Sequence, residues 1–566
     1  MNGGTRGEGR RDRAGSAARW RVRGQVALAM VVVMALAAGC GASASTKSST
    51  AGTAASSASH SSSASTPHNG GSLVVAVDAE SDTWNAAVAE WAAAGSLVGS
   101  SVLEPLAKLN AKGGADPYLA TSWIADSTFD KWQINLRPGV TFQDGEPFDA
   151  AAVKLNIDTY VGGALSGQEL KPMISSVEVT GPLTVVVNMT QPWAAFPSSY
   201  LDGGAALMMA PAMIHSADGG ATHPIGTGPF TFESWTPGGS FKVKRNPTYW
   251  QKGLPHLDSI EFRVLTDEAT RVAALQSGDV DMILTTNAAD ANRLAGGYTV
   301  VKDWSSEVDQ VQINTAASVD GVANPLTDVH ARLALAYATN RNQIANELGK
   351  GVQTATSPWA AGTTWGMPQN QNGWVGYDQA KARSEVAAYE KDTGATSLSI
   401  TLSGLASTDE IRSLQQLQAQ WAQAGIKADI QTMDQVTLIK KLVAAQYEAI
   451  FEANPNYSDP DNDYVFWNSS TAVGVGQINI NFSLYKNPQV DADLATGRSN
   501  GYPAQRKAAY DDLVHQLNAA AVDDWLYYTP YSLVANHAVH GLDTARTVAF
   551  GNFEPKTWLA DLWLSN

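Results

Sequence analysis

Residues 136–157 read LRPGVTFQDGEPFDAAAVKLNI, and the hydrophobic pattern changes repeatedly within this stretch. Just upstream, Trp132 and Ile134 alternate with polar residues, and this period of two predicts a half-buried strand. The pairs Pro138-Gly139 and Asp144-Gly145 predict turns on either side of a second strand. Together the two strands and their turns are typical of a hairpin.

The same stretch ends in a predicted helix. Asp149 precedes it, and a carboxylate there can accept hydrogen bonds from the free N–H groups of the first helical turn. Val153 and Ile157 lie four positions apart and so share one face of that helix. The stretch carries no catalytic pattern, and we therefore predict a structural role for its residues.

The whole chain has 566 residues, a length at which about two or three domains are expected. Its formal net charge is -16, and no stripe of Lys and Arg follows residue 25, which argues against nucleic acid as a partner. Cys40 is the only cysteine, so a disulfide within the chain and a thiolate metal cluster are both excluded.

Residues 1–40 predict a secretory signal peptide, since an arginine-rich start precedes an apolar segment at 26–38 and then Gly39-Cys40. The apolar segment is too short to favour a membrane-spanning helix. A cysteine in this position resembles a bacterial lipobox, in which the thiol is lipidated; the alternative is a plain signal peptide with an incidental cysteine. Residues 41–70 are almost entirely Ser, Ala, Thr and Gly, which predicts a flexible tether.

Later segments indicate an α/β protein. An apolar run at 73–77 predicts a buried strand, followed by a loop that contains Trp84. Two β-α-β units are predicted, one at 260–284 and the other at 398–430. The glycine-rich segment at 224–230 lacks a following Gly-Lys-Ser/Thr, so a phosphate site is not expected there.

Patterns of known enzymes are missing from the sequence. It has neither a Gly-x-Ser-x-Gly elbow nor a His-Glu-x-x-His motif, and Ser483-x-x-Lys486 stands without a Lys-Thr-Gly partner. The nine histidines do not have the spacing of a zinc site. We therefore predict a protein that is not an enzyme and that uses neither a cofactor nor a metal.

Segments in a fixed order carry a resemblance to a known family. They are VLEPL at 102–106, LRPGVTFQDGEPFDAAAVK at 136–154, PIGTGPF through RNPTYW at 224–250, LQSGDVDMI at 275–283 and TDVHARLALAYATNR at 327–341. The chain resembles the extracytoplasmic solute-binding proteins of the peptide and nickel class, also described as dipeptide- and oligopeptide-binding lipoproteins, which feed ABC importers. The resemblance covers nearly all of the sequence after residue 70.

This resemblance implies an α/β, two-lobed periplasmic-binding-protein (Venus flytrap) fold with an extra subdomain. The first lobe is expected to combine 71–102, 223–304 and 529–566, and the second lobe to comprise 305–528. Residues 103–222 are expected to form the extra subdomain. The hairpin and helix at 136–157 would then lie in a supporting module, away from the ligand.

The resemblance also places the segment 454–467, NPNYSDPDNDYVFW, at the ligand cleft. Peptide-binding members of the family often hold the peptide's amino group with an aspartate shortly before a similar Asp-Pro turn. In this chain Asn456 stands at that position. An amide supplies no counter-charge, so either Asp459 or Asp461 substitutes, or the ligand is not a peptide with a free amino end.

Aromatic residues complete the predicted ligand site. Tyr457 and Trp467 belong to the same segment, and Trp359 and Trp365 lie in SPWAAGTTWGM, where the alternative is that they anchor a buried loop. Trp84 and Tyr531 are candidates by position only.

The acidic residues of this segment also resemble the start of a calcium loop. Asp459, Asp461 and Asp463 have the right spacing, but Tyr464 stands where the loop needs glycine. We therefore expect a solvent-exposed acidic turn rather than a metal site.

The sequence therefore predicts a monomeric, lipid-anchored receptor on the outer face of a cytoplasmic membrane. It would bind a peptide or peptide-like solute between two closing lobes and deliver it to the permease of an ABC importer. One alternative is a receptor of the same fold for a metal chelate, a sugar or haem. Others are a surface sensor or interaction protein without a transporter and, least favoured, an extracytoplasmic hydrolase.

Overall fold

A computed structural model describes residues 66–89, 91–163, 166–542, 550–551 and 554–565. These described residues belong to one compact unit. The predicted signal peptide, the predicted lipidation site Cys40 and nearly all of the predicted tether lie outside the described residues. Among the described residues, no helix has both the length and the apolar character needed to cross a membrane.

A seven-stranded sheet gathers strands from the beginning, the middle and the end of the compact unit. In spatial order its strands are Phe230–Thr236, Ser240–Arg245, Ser259–Val264, Ser72–Val77, Met282–Thr285, Tyr531–Ala535 and Thr299–Asp303. Ser72–Val77 pairs in parallel with both Ser259–Val264 and Met282–Thr285. The helices of this region are Ala93–Gly99, Glu268–Ser277 and Ala288–Leu294.

Local signals explain the helix between two of these strands. Asp267 accepts a hydrogen bond from the backbone N–H of Thr270, and Gly278 ends the helix with a left-handed φ of 80°. Val272 and Leu275 are the apolar side chains that this helix buries. The helix predicted within 260–284 is therefore confirmed, with the strands on either side of it.

A five-stranded sheet contains most of the second half of the chain. Its strands, in spatial order, are Lys427–Met433, Ser399–Leu405, Ala449–Pro455, Glu307–Ile313 and Asp523–Tyr528. Its helices are Val329–Ala338, Arg341–Leu348, Gln379–Thr393, Thr408–Ala422, Gln435–Val443, Tyr464–Trp467, Pro488–Ser499 and Pro503–Ala520. The predicted β-α-β unit at 398–430 is confirmed, because Ser399–Leu405 and Lys427–Met433 pair in parallel.

Two short connections join the two sheets. Residues 304–306 lead from Thr299–Asp303 directly into Glu307–Ile313, and residues 529–530 return from Asp523–Tyr528 to Tyr531–Ala535. The two connections lie side by side, since the backbone N–H of Thr529 donates to the carbonyl of Glu307 at 3.0 Å. The chain therefore crosses between the sheets twice at one place.

A third sheet has four antiparallel strands, in the order Ala120–Ala125, Lys131–Leu136, Thr184–Met189 and Ile174–Gly181. The helices Ala150–Gly162, Ser166–Leu170 and Pro211–Ile214 accompany it. Asp149 caps the first of these helices as predicted, accepting from the N–H groups of Ala151 and Ala152. The predicted hairpin is wrong: Lys131–Leu136 pairs with Ala120–Ala125 and Thr184–Met189, and the residues after it form only a single bridge, between Thr141 and Pro147.

Smaller elements connect these layers. Four two-stranded pairs are Glu104–Pro105 with Leu207–Met208, Ala107–Leu109 with Ala115–Pro117, Ser318–Val319 with Val322–Ala323, and Val539–His540 with Trp563–Leu564. Pro197–Leu201 forms a π-helical turn. Short 3-10 turns are Gly204–Ala206, Pro325–Thr327, Pro460–Asp463, Ser469–Thr471 and Thr557–Asp561.

Candidate functional site

A cavity of about 230 Å³ lies where three parts of the chain meet. Its lining comes from the region after the first strand, from the region of the four-stranded sheet and from the segment 454–467. The lining residues are Ala86, Ala89, Trp91, Ser96, Tyr160, Ser166, Glu169, Ser199, Gly204, Ala205, Tyr457 and Asn462. A molecule bound here would touch all three parts at once.

A larger cavity of about 450 Å³ is a poorer candidate. It lies between residues 108–118, 251–254 and 557–561, and none of the described residues that line it belongs to the five-stranded sheet or its helices. A ligand stabilises a closed arrangement of two lobes only if it binds that arrangement better than the open one. A cavity that touches one side alone does not provide this difference.

Asn456 is held by one of the connections between the two large sheets. It follows the strand Ala449–Pro455, and its backbone N–H donates to the carbonyl of Ser306 at 2.8 Å. Its side-chain Nδ2 donates to the carbonyl of Ser305 at 3.3 Å, whereas the buried Oδ1 has no hydrogen-bond partner. Asn456 does not line the 230 Å³ cavity, and its predicted contact with ligand stays a prediction.

Tyr457, the next residue, lines the cavity. Burial raises the pKa of its hydroxyl well above the usual value, and the nearby carboxyl groups of Asp463, Glu169 and Glu554 raise that pKa further. The cavity wall at Tyr457 is thus surrounded by acidic groups. Of the residues predicted from the sequence to bind ligand, Tyr457 is the one that the structure places in this cavity.

Asp459 and Asp461 are each paired with an arginine. The guanidinium of Arg506 lies 2.5 Å from Asp459 Oδ1, and Nε of Arg498 lies 2.5 Å from Asp461 Oδ1. Ser198 donates to the second oxygen of Asp459, and the indole of Trp193 to that of Asp461. Neither carboxylate is left as a spare counter-charge for a ligand.

The expectation of a solvent-exposed acidic turn is wrong. Asp459, Asp461 and Asp463 are only 1%, 0% and 1% exposed, because the turn packs against the arginines of the helices Pro488–Ser499 and Pro503–Ala520. Asp463 accepts a hydrogen bond from the indole N–H of Trp359 at 3.0 Å, and burial raises its pKa well above the usual value. Among the described residues, no set of three or more His, Cys, Asp or Glu is arranged to hold a metal ion.

The three tryptophans predicted around this segment are buried rather than part of the cavity lining. Trp365 donates its indole N–H to the carbonyl of Ser458 at 2.9 Å. The rings of Trp359 and Trp467 meet edge to face, with centroids 5.9 Å apart. In this position they anchor the loop, which was the alternative for Trp359 and Trp365; direct ligand contact by any of the three stays a prediction.

Trp84 and Tyr531 also lie outside the cavity lining. Trp84 packs against Phe241, with ring centroids 4.3 Å apart, and against Trp91 at 6.0 Å. Tyr531 contacts Glu307 next to the connections between the sheets, and burial raises the pKa of Glu307 to about 8. Trp84 therefore supports a cavity residue, and Tyr531 supports the crossing point.

The sequence reasoning missed Glu169, the one charged side chain among the described residues that line the cavity. It lies on the short helix Ser166–Leu170, which approaches the preceding helix closely: a Cβ at Gly167 would sit 2.6 Å from the carbonyl oxygen of Val161. The glycines at 162, 163 and 167 were a signal for such an approach, but no motif marked the glutamate itself.

Glu169 has an unusual electrostatic setting. The guanidinium of Arg498 is 4.0 Å away, at the outer limit of an ion pair, and is already bound to Asp461. Burial raises the pKa of Glu169 to about 7, with Arg498 lowering it and Asp461 raising it. About a quarter of the side chain, 27%, remains exposed, and the residue lines the cavity.

One known protein family matches most of the described part of the chain. The model of the bacterial extracellular solute-binding proteins, family 5 Middle, matches residues 115–475. The glutathione-binding protein GsiB of Salmonella paratyphi A is 31% identical over 402 residues, covering 67% of this chain and 74% of that protein.

Solved structures show the same fold. The periplasmic binding protein AgaA from A. tumefaciens R10, in complex with agropinic acid, matches with a TM-score of 0.75 at 22% identity, covering 88% of this chain and 99% of that one. DppA from Helicobacter pylori, an ABC transporter-associated periplasmic binding protein in complex with the peptide STSA, matches with a TM-score of 0.75 at 20% identity and the same coverage. The predicted two-lobed α/β fold is thereby confirmed.

Proposed function

Because this chain belongs to the bacterial extracellular solute-binding proteins of family 5, a family that serves ABC importers, we propose that it captures a small peptide-like solute in the cavity beside Tyr457. The observation that carries this proposal is the cavity itself, whose lining combines Trp91, Glu169 and Tyr457 from three distant parts of the chain. The solute would then pass to the membrane permease of the importer.

Closure of the lobes is the proposed mechanism of capture. Residues 304–306 and 529–530 are the two adjacent connections between the large sheets and supply a hinge at one place. A solute in the cavity contacts both sides of that hinge, so it favours the closed arrangement by the difference between its affinities for the closed and open forms. No covalent chemistry is required for this function, and we propose none.

The domain boundaries are part of the proposal. The seven-stranded sheet is built from segments within 71–102, 223–304 and 529–566, which supports their assignment to one lobe. The five-stranded sheet, built from segments within 305–528, supports the opposing lobe. Residues 103–222, with the four-stranded sheet, would be the extra subdomain.

The size of the cavity favours a small ligand. Its volume of about 230 Å³ is below the range of about 300–1,000 Å³ that is usual for ligand pockets. Short peptides fit this description, and the similarity to a glutathione-binding protein supports a ligand of that size.

A second candidate is a receptor of the same fold for a solute that is not a peptide. It is favoured by Asn456, which brings no charge to the position where a peptide's amino group was expected to bind. The bound agropinic acid of AgaA is a precedent for a different solute on this fold.

Mass spectrometry of whatever co-purifies with the native full chain and is released by denaturation distinguishes the two candidates. Short peptides of several masses would support the main proposal, and a single non-peptide species would replace it with the second. If the protein binds neither class, a transporter-independent interaction protein becomes the better explanation. Peptides cleaved during incubation with the protein would instead indicate a hydrolase.

We further propose that the receptor acts as a monomer held to the outer face of the membrane by a lipid on Cys40. Support comes from the sequence before the described residues, where this cysteine follows an apolar segment. Replacing it, Cys40→Ala, is expected to release the protein into the medium, whereas Ser45→Ala should not. Unchanged membrane association of Cys40→Ala would contradict the lipid anchor.

A further inference from the structure

More carboxyl groups than cationic groups lie around the cavity beside Tyr457. Arg498 is the cation close to Glu169, but it binds Asp461 at 2.5 Å and stacks on the ring of Tyr464, with its guanidinium carbon 3.7 Å from the ring centroid. Glu169 lies farther away, at 4.0 Å. One guanidinium thus lies near two carboxylates, and it neutralises Glu169 less well than Asp461.

Aromatic residues also line the cavity that contains this carboxylate. Trp91 and Tyr160 line the cavity, and their polar groups are already used: the indole N–H donates to Thr83 O at 2.8 Å and the hydroxyl to Leu207 O at 2.8 Å. Trp91, which is partly exposed, therefore offers ring surface to a ligand, whereas Tyr160 is fully buried and only supports the wall. Rings beside a carboxylate suit a cation, which is attracted by both.

The described lining of the cavity brings no positive group to a ligand. Among the described residues that line it there is no Lys, Arg or His, while the hydroxyls of Ser96, Ser166 and Ser199 supply neutral polarity. A solute with two carboxylates, such as glutathione, finds no matching cation in that lining. The lining therefore disfavours a solute whose net charge is negative.

We infer that the natural solute carries a positively charged group, an ammonium or a guanidinium, which binds Glu169 beside the rings of Trp91 and Tyr457. The inference rests on the proposed function, because it assumes that the cavity is the solute site. It assigns the counter-charge to the extra subdomain, in a part of the sequence far from Asn456. The solute class is then cationic small peptides or amines, rather than anionic peptides.

Two pairs of probes, each with a neutral and a cationic member, test which charge on the solute the cavity prefers. Binding to the intact, unmutated protein is measured by calorimetry. Acetyl-Ala-Arg amide is compared with acetyl-Ala-citrulline amide, in which an uncharged ureido group replaces the guanidinium. Ala-Ala amide is compared with acetyl-Ala-Ala amide in the same way. A cationic member that binds about tenfold tighter than its neutral partner is expected in at least one pair, and glutathione should bind more weakly than that cation.

Glu169→Gln keeps the size of the side chain and removes its charge. We expect it to reduce the preference for the cation to within about twofold, while the affinity for the neutral probes changes little. Glu178→Gln is the matched control, since this exposed glutamate lies on the strand Ile174–Gly181 of the same subdomain and outside the cavity lining. It should keep the full preference.

The outcomes separate this inference from the proposed function. Neutral probes that bind as tightly as cations, or a Glu169→Gln protein that keeps the preference, overturn the inference and leave solute capture intact. Absence of binding by every cation also overturns it. The proposed function fails separately, if no solute co-purifies and no probe of any charge binds. Should Glu169→Gln not fold, the probe pairs on the unmutated protein still decide.

Discussion

Two kinds of carboxylate meet near the segment 454–467, and they differ in what neutralises them. Asp459 and Asp461 are each bound to an arginine at 2.5 Å, and their other oxygens also accept hydrogen bonds. Glu169 has only a shared arginine at 4.0 Å and lines the cavity. The first kind fixes the loop in one conformation, and the second remains able to bind something from outside.

Acidic residues in a sequence therefore do not by themselves reveal which carboxylate binds a ligand. A buried carboxylate with a well-placed partner is costly to disturb, because removing the partner leaves an unpaired charge in the interior. A poorly paired carboxylate beside a cavity gains more from a cationic ligand. Changes to Asp459, Asp461 or their arginines should therefore alter stability, and changes to residues that line the cavity should alter affinity.

The largest effect, on stability, is expected from removing an arginine that pairs with a buried aspartate. Arg506→Met leaves Asp459 buried without its cation and should lower the free energy of unfolding by about 3–5 kcal/mol. Urea denaturation followed by tryptophan fluorescence measures this loss. The double change Arg506→Met with Asp459→Asn should recover most of it, because no buried charge then remains unpaired.

An Arg506→Met protein that folds with unchanged stability but loses the preference for cationic probes would contradict this assignment. That result would mean that the arginine pair acts on the ligand rather than on the loop. Circular dichroism of the variant shows whether the fold is kept before any affinity is interpreted.

A smaller effect is expected from filling the cavity. Ala205 lines it, and Ala205→Trp should weaken binding of the co-purified solute about a hundredfold, equivalent to about 2.7 kcal/mol. Stability should change little, because the added ring occupies space that was empty. Ala151→Trp, at an exposed position of the helix Ala150–Gly162, is the control and should leave the affinity unchanged. Full affinity of Ala205→Trp would place the solute elsewhere.

The next effect is a dependence on pH. Burial raises the pKa of Glu169 to about 7, so its carboxyl loses its negative charge as the pH falls below that value. Arg498, Asp461, Asp463 and Tyr457 are the charged and titratable groups that interact with it. Affinity for acetyl-Ala-Arg amide, whose guanidinium stays charged throughout, should rise about tenfold from pH 5.5 to pH 8.

Stability should move in the opposite direction over part of this range. A folded-state pKa raised above the usual value near 4.5 means that the folded chain holds the proton more tightly than the unfolded chain. The Glu169 contribution is therefore present at low pH and is lost as the pH rises towards 7. Several other buried carboxyl groups titrate in a similar pH range, among them Glu307 and Glu452, each with a pKa of about 8. Comparison with Glu169→Gln isolates the effect of one group, and a pH profile identical to that of the parent would exclude it.

Sequence reasoning succeeded where the determinants are local. The cap at Asp149, the helix end at Gly278 and the alternation around Trp132 depend on neighbours within one turn or one strand pair. The predicted hairpin was wrong because Lys131–Leu136 pairs with Ala120–Ala125 and Thr184–Met189 instead of with the residues that follow it. The family resemblance added the fold, which local patterns alone did not determine.

The site was only partly predictable, for a physical reason. Tyr457 belongs to a segment that the resemblance marked, whereas Glu169 gains its meaning only from contact with a segment far along the chain. The pairing of Asp459 and Asp461 with arginines likewise depends on helices that begin after residue 487. Such charge balance is a property of the assembled fold, and no spacing within the sequence encodes it.

The smallest effect is expected from the indole that anchors the loop. Trp365 donates to the carbonyl of Ser458 at 2.9 Å and lies 4.9 Å from the guanidinium of Arg506. Trp365→Phe keeps an aromatic ring but removes the hydrogen bond, so the free energy of unfolding should fall by about 1 kcal/mol. Affinity for cationic probes should stay the same, since Trp365 is outside the cavity lining. If this variant instead lost affinity at unchanged stability, the indole would contact the solute. Trp365 would then belong to the binding site and not to the structural part of the loop.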